Sequence, residues 1–375
     1  MLINIDNIAS YLLEKGLIDV ESIIDGDLKI IDSSKKNRNI KILRNKNASY
    51  LLKQPHSNEI HSISLIQKEA QLYKTVQGDN HLRRLKDIMP RVVNYDFEQH
   101  ILAIELITNG KPLSQYLYEF NGKELSSDLR RIFSRLGRAM ALFHKDFEDQ
   151  IDNPSISFLP KKTIPPAFFL SRPYPEMYSI LSPANLELLR IIQQFPELYG
   201  FLERLKEEWH VKTLMHGDIK WDNIIVSLDK EDKRLLGIKI VDWESADFGD
   251  PAWDVAGVFH GFIRTWLYSL SMTGKVSPAK LVSSSKIQLG TMQEGIRTFW
   301  YEYVQSFNKE RDKDMLTRST KYCAARLVQS AFELLHDSSG LSNIAVYMLQ
   351  VSANIFKDVH NAITYLYGIP IRNTT

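Results

Sequence analysis

One run, His216-Gly217-Asp218-Ile219-Lys220-Trp221-Asp222-Asn223, sets acids, a base and an amide at close intervals. Downstream come Asp242-Trp243-Glu244 and Gly249-Asp250-Pro251-Ala252-Trp253-Asp254. Residue types at this spacing suit phosphoryl transfer. Asp218 stands where a substrate hydroxyl can be oriented, and Asn223 and Asp242 follow at the interval expected of two magnesium ligands. Carboxylate and amide oxygens suit such a hard cation. The two ligands must also meet. Short β-branched runs, one from Asn223 to Val226 and one from Leu236 to Val241, flank the charged stretch Asp229 to Arg234 and predict a hairpin. Such a ribbon puts Asn223 at the start of one strand and Asp242 just past the end of the next, at the same end of the pair.

In this order the segments resemble the protein-kinase catalytic loop and its metal-binding aspartate. With Gly217 in place of the kinase arginine and the Gly249 to Asp254 tail, the chain more closely resembles the aminoglycoside phosphotransferase and choline kinase superfamily, from about Leu28 to about Gly257. The resemblance implies an α+β, two-lobed protein kinase-like fold, with an N-terminal antiparallel sheet lobe over 1–107 and a mostly helical C-terminal lobe over 108–375. It implies ATP and magnesium as cofactors, and as acceptor a hydroxyl, mostly of a small molecule. On this likeness Asp218 accepts the hydroxyl proton, Lys220 neutralises the γ-phosphate in flight, and Asn223 and Asp242 hold magnesium. An Asp-x-Glu at 242–244 resembles the methylthioribose kinases, where both acids serve metal, so Glu244 joins the candidate ligands; its blander reading is a brace for the loop. His216 and Asp254 are assigned to the scaffold, Asp254 accepting backbone N–H groups of the turn at Asp218. No A-P-E segment follows Asp242, so control by loop phosphorylation is not expected.

Other elements must carry the nucleotide. Three strand-like runs, Leu28 to Ile31, Asn39 to Leu43 and Ser49 to Lys53, predict an antiparallel meander. In the kinase fold the first connection covers the phosphates. Here it reads Ser33-Ser34-Lys35-Lys36-Asn37-Arg38 and has no glycine, so phosphate contact rests on serine hydroxyls, Ser34 among them, and on backbone N–H groups. The spacing then predicts a helix over Ser57 to Val76, with Leu65, Leu72 and Val76 on the face of Glu69. A carboxylate facing inward needs a partner, because breaking a buried pair costs about 3–5 kcal/mol. Lys53, at the end of the third strand, is the natural one, and the pair resembles the kinase lysine that holds the α and β phosphates and its helix glutamate. Arg91 to Tyr95 and His100 to Ile107 predict two more strands. Glu105-Leu106-Ile107 falls where the kinase-like hinge offers backbone groups to adenine, which makes Glu105 and Ile107 cofactor-binding candidates.

Around these parts the patterns are mainly helical. Ile5 to Lys15 predicts a short helix stopped by Gly16, and Ser127 to Phe147 a buried one in which His144 is structural. Asp149 to His210 is an insertion rich in proline and aromatic residues, with a helix near Asn185 to Gln194; a lid and a decorated surface loop are equally good readings. Four more helices are expected at Trp253 to Ser269, Ile287 to Phe307, Met315 to His336 and Leu341 to Leu366, and in relatives such helices wall the acceptor site.

Composition narrows the partners. A chain of 375 residues has room for two lobes, and 47 Lys+Arg against 45 Asp+Glu argue for neither a nucleic acid nor an anionic membrane. The lone Cys323 excludes an intrachain disulfide and a cysteine zinc cluster. Without a basic leader or an apolar run of membrane length, the cytoplasm is the expected compartment. From Gly261 to Thr375 the sequence holds 13 Lys+Arg against 8 Asp+Glu, too few acids for a polycationic acceptor. The acceptor expected is therefore neutral, anionic or peptidic. Two alternatives stand beside a small-molecule kinase. One is a Ser/Thr kinase acting on a peptide in lanthipeptide-like natural-product maturation; the other is a non-catalytic pseudokinase. The joint presence of Lys53, Glu69, Asp218, Asn223 and Asp242 argues against the second.

Overall fold

Leu28–Asp32 (β1), Asn37–Arg44 (β2) and Tyr50–Pro55 (β3) are strands; the alternation of Asn39, Ile40, Lys41 and Ile42 turns one face of β2 inward, where Ile40 and Ile42 are buried with Leu52, the partner of Ile40 on β3. Val92–Asp96 (β4) and Ile101–Glu105 (β5) complete a sheet of order β1-β2-β3-β5-β4, every pair antiparallel. The predicted meander and both added strands are present. In this computed structural model the described residues are 1–34, 37–57, 59–119, 122, 124–161, 163–229, 235–270, 282–307 and 314–370. Lys35 and Lys36 of the loop between β1 and β2 lie outside them, as do 230–234 of the predicted hairpin loop.

The contacts divide the chain into two compact units. The first comprises Met1–Leu113, Asp152–Leu159 and Asn223–Ala246. Under its sheet pack Ile3, Ile8, Tyr11, Leu12 and Ile18, which come from the N-terminal segment. The first helix, Ile8–Glu14 (α1), begins later than Ile5, because the Asn4 side chain accepts the N–H groups of Asp6 and Asn7 and holds a turn there. Val20–Ile24 (α2) follows, capped by Asp19. The long helix Ile60–Gly78 (α3) buries Ile66, Glu69, Leu72, Tyr73 and Val76, so the glutamate does sit on the inward face. After Arg83–Ile88 (α4), a short helix the spacing did not reveal, comes a second, three-stranded sheet. Ile224–Leu228 and Leu235–Ile240 form the expected hairpin, and Gly110–Pro112 pairs with the first of them, an edge too short to show a period in sequence.

The second unit comprises Ser114–Ile151, Pro160–Asp222 and Asp247–Thr375 and is mostly helical. Ser126 caps Ser127–Asp146 (α5), whose buried face runs through Leu129, Ile132, Phe133, Leu136, Met140 and Phe143. In the proline-rich insertion two helices stand where one was expected: Pro183–Gln194 (α6) and Pro196–Glu207 (α7). Pro196 disfavours helical backbone at Phe195 and can itself start a helix, so it splits the run. Pro251–Tyr268 (α8), Leu289–Phe307 (α9) and Met315–Leu334 (α10) fall close to expectation. The last predicted helix does not run unbroken. Asn343–Lys357 (α11) ends at Asp358, whose extended backbone (φ −151, ψ 92) lets its side chain accept from Asn361 N at 2.9 Å and start a new turn. Among the described residues no helix is long and apolar enough to cross a membrane.

Candidate active site

Lys53 lies in the middle of the first unit's sheet, opposite Asn39 on β2 and Leu102 on β5. Its Nζ meets three carboxylates: Glu69 Oε2 at 2.7 Å, Asp242 Oδ1 at 2.5 Å and Glu244 Oε2 at 3.0 Å. The pairing with Glu69 is the one the helix face implied; the other two are additions. Glu69 also accepts the N–H of Trp243 through Oε1 at 3.1 Å, tying α3 to the segment after the hairpin. Asp242 itself is left-handed (φ 69, ψ 57), a conformation Asp tolerates better than most residues and one often found at functional sites. It is held there from both sides. Val241 N donates to Asn223 O at 2.9 Å, continuing the ladder one step past the Ile224–Ile240 pair, while the Trp243 indole donates to Ile240 O at 2.8 Å.

Electrostatics in this cluster follow from one ammonium serving three acids. Burial opposes the charge on Lys53, yet Glu69, Asp242 and Glu244 together hold its pKa above the ordinary lysine value. Burial pushes the fully enclosed Glu69 carboxyl up, to about 7, because the lysine charge it would need is shared with Asp242 and Glu244. Ligand oxygens of Glu69, Asp242 and Glu244 all lie within 4.8 Å of one another. The set holds more acids than cations and all its donors are hard oxygens, which fits a divalent cation such as magnesium.

Asp218 and Lys220 belong to the second unit. Gly217 takes φ 81, a turn that sterics grant to glycine, and the loop is fastened from α8. Asp254 accepts from His216 N at 2.6 Å and Gly217 N at 3.0 Å, the scaffold role expected of it. His144 bonds Asp254 Oδ2 at 3.2 Å and Tyr303 Oη at 2.8 Å, all three of these side chains being buried. Burial works against the Asp254 charge, but the bonds from His144 and His216 hold its carboxyl below the usual carboxylate range. Within the loop Lys220 Nζ donates to Asp218 Oδ2 at 2.6 Å. This pair is more than a third exposed on both sides, with side chains 44% and 35% accessible, so solvent screens it.

The remaining candidates are placed in the first unit. Asn223 is buried at the start of the hairpin. Ser34 Oγ accepts from Asn39 N at 3.1 Å, Glu105 N donates to Arg91 O at 2.8 Å, and Ile107 O accepts from Gly110 N at 3.3 Å. Two neighbours escaped the sequence reading. Asn37 Nδ2 donates to Glu244 Oε2 at 3.1 Å, and Arg326 Nη2 stands 3.9 Å from Asp218 Oδ1. For Arg326 a signal existed: a charge on the apolar face of a helix, four residues after Tyr322, as with Glu69. For Asn37 no pattern marked it among the polar residues of its loop.

A family model described as the phosphotransferase enzyme family matches residues 27–269. No curated protein matches the chain in sequence. Among solved structures, a choline kinase from Cryptosporidium parvum Iowa II is 15% identical with a TM-score of 0.54, covering 97% of this chain and 99% of that one. The choline kinase LicA from Streptococcus pneumoniae is 15% identical with a TM-score of 0.47, covering 92% and 99%. A streptomycin-ATP-APH(2")-IIa ternary complex is 15% identical with a TM-score of 0.48, covering 95% and 99%. At such identity the first of these speaks for the fold alone, which is protein kinase-like. With the family match spanning well over half of its length, the chain belongs to the phosphotransferase enzyme family and is a kinase, moving phosphate onto a hydroxyl.

Proposed function

We propose that this kinase takes the γ-phosphoryl group of ATP, with magnesium, to a hydroxyl of a small molecule that carries no positive charge near the reacting oxygen. The observation that carries the nucleotide half is the buried Lys53 with its three carboxylates. A lysine has three N–H donors, and all three are met by acids here, so holding α and β phosphates requires Lys53 to exchange at least one of them. Asp242 and Glu244 are the ones suited to be released, since with Asn223 they would hold the cation, whereas Glu69 has a second tie to Trp243 N. Magnesium, when bound, supplies charge neutralisation at the β and γ phosphates. Glu105 and Ile107 offer backbone groups to adenine, and Ser34 a hydroxyl to phosphate.

On the acceptor side Asp218 orients the hydroxyl and takes its proton, and Lys220 moves from Asp218 to the phosphoryl group as charge develops. Two cations, Lys220 and Arg326, flank Asp218 at 2.6 and 3.9 Å. An ammonium beside the reacting hydroxyl would meet them as like charges, which is why choline and aminoglycosides are disfavoured in this reading. Of the charges counted downstream of Gly261, those at 275, 280, 309–313 and 372 lie outside the described residues. The test is ATP consumption with magnesium in the presence of sugars and polyols, hydroxy acids, choline and kanamycin-like aminoglycosides. Turnover is expected with a neutral or anionic hydroxyl compound. Efficient turnover of an aminoglycoside at micromolar KM would sink the acceptor class, and no nucleotide consumption with any compound or with water would sink ATP as donor.

A further inference from the structure

Arg326 sits in the middle of α10 with its side chain only 8% exposed, an expensive place for a guanidinium unless its surroundings use it. Its Nη2 donates to the carbonyl of Ile219 at 2.9 Å. The guanidinium lies 4.5 Å from the ring centroid of Trp253, a cation–π contact, and the Trp253 indole donates to the carbonyl of Gly217 at 2.8 Å. Gly217 and Ile219 are the residues on either side of Asp218. Both of their carbonyls are therefore pinned, one by Trp253 from α8 and one by Arg326 from α10. Asp254 holds the N–H groups of His216 and Gly217 on the same turn. Gly257 completes the fit, since a Cβ there would run into the Ile219 backbone.

Of the two cations beside Asp218, Lys220 is part exposed and able to leave, whereas Arg326 is fixed. The Nη1 of Arg326 is buried and has no hydrogen-bond partner among the described residues. Leaving a charged donor unbonded in the interior is costly, and an arginine kept only for packing gains nothing from it. We propose that Arg326 is a positioning residue for the transfer, aiming the Asp218 carboxylate at the acceptor hydroxyl while Lys220 serves the phosphoryl group. The inference rests on the reading of Asp218 as proton acceptor. Lysine at 326 keeps a charge but cannot stack on Trp253 and reach the Ile219 carbonyl with a planar fork.

The experiment is a double-mutant cycle in the full chain, with ATP and magnesium and with water standing in for the acceptor. Arg326→Gln and Arg326→Lys are made in the wild type and in Asp218→Asn, and kcat and the KM for ATP are followed by phosphate release. In the wild-type background kcat is expected to fall about 100-fold, the scale of a small misplacement of a reacting group, with the ATP KM within about twofold. In the Asp218→Asn background the further loss should be under about threefold, because residues that act as a unit are not additive. Equal losses in both backgrounds, or a rise in ATP KM matching the loss of kcat, would overturn the proposal. If Arg326→Gln does not fold, the lysine variant decides: a near wild-type melting temperature with reduced kcat supports positioning, and wild-type kcat or failure to fold refutes it. Should Asp218→Asn alone keep wild-type turnover, the reading of Asp218 falls, and that outcome is separate from any result at 326.

Discussion

Replacing Lys53 by Met keeps most of the side-chain volume and removes the one charge that three acids share. Because the Lys53 and Glu69 side chains are only 6% and 1% exposed, solvent does not screen the loss. Removing one partner of such a buried pair costs about 3–5 kcal/mol. At about 2–4 °C per kcal/mol for a folding unit of this size, the melting temperature should drop by about 6–20 °C. Acidity gives the sharper test. Glu69 titrates near 4.5 unfolded and at about 7 folded, so the folded state binds the extra proton and stability falls as pH rises through that window. In the wild type the decline ends once Glu69 ionises. Without Lys53 its carboxyl is pushed higher still, so the deficit of Lys53→Met should widen from pH 7 to pH 9, by up to about 1.4 kcal/mol per pH unit. Urea denaturation at pH 5, 7 and 9 measures this. Adding Glu69→Leu should restore stability but not ATP turnover. A single mutant that melts like the wild type, or a deficit that is the same at pH 7 and pH 9, refutes the reasoning; recovered turnover in the double mutant removes Lys53 from the site.

Asp242→Asn retains volume and tolerates the left-handed backbone, so the fold should survive while magnesium-dependent turnover is abolished; wild-type turnover would end the metal assignment. Asp218→Asn should lower kcat by roughly 100- to 10,000-fold with little change in ATP affinity, and an equal loss of ATP binding would mark the aspartate as structural. Burial, with Arg326 and Arg264 nearby, pushes the pKa of His260 well below the ordinary histidine value of 6.5. Below pH 6.5 the unfolded chain takes a proton that the folded one refuses, so stability is lost as pH falls, by up to about 1.4 kcal/mol per unit. His260→Gln should flatten that slope between pH 6.5 and 5 in urea denaturation; an unchanged slope assigns it elsewhere. Asp254 acts in the same direction at lower pH, its contribution present above 3.8 and lost as pH falls through its depressed folded value.

Local periodicity and residue type were enough for a good deal of this protein. Strand-like runs between polar loops marked the meander, the spacing around Glu69 marked an inward acid that wanted Lys53, and the order of the segments at 216–223, 242–244 and 249–254 marked the family. Such signals lie in runs of a few residues, where backbone geometry alone dictates which side chains share a face. What tertiary structure decided was which distant groups converge. Glu244 joins Lys53 at 3.0 Å, Asn37 reaches Glu244 across 207 positions, and the Gly110 strand completes a sheet begun at Ile224. Arg326 reaches the loop of Asp218 from 107 positions away. No period links residues so far apart; their meeting depends on how helices and sheets pack.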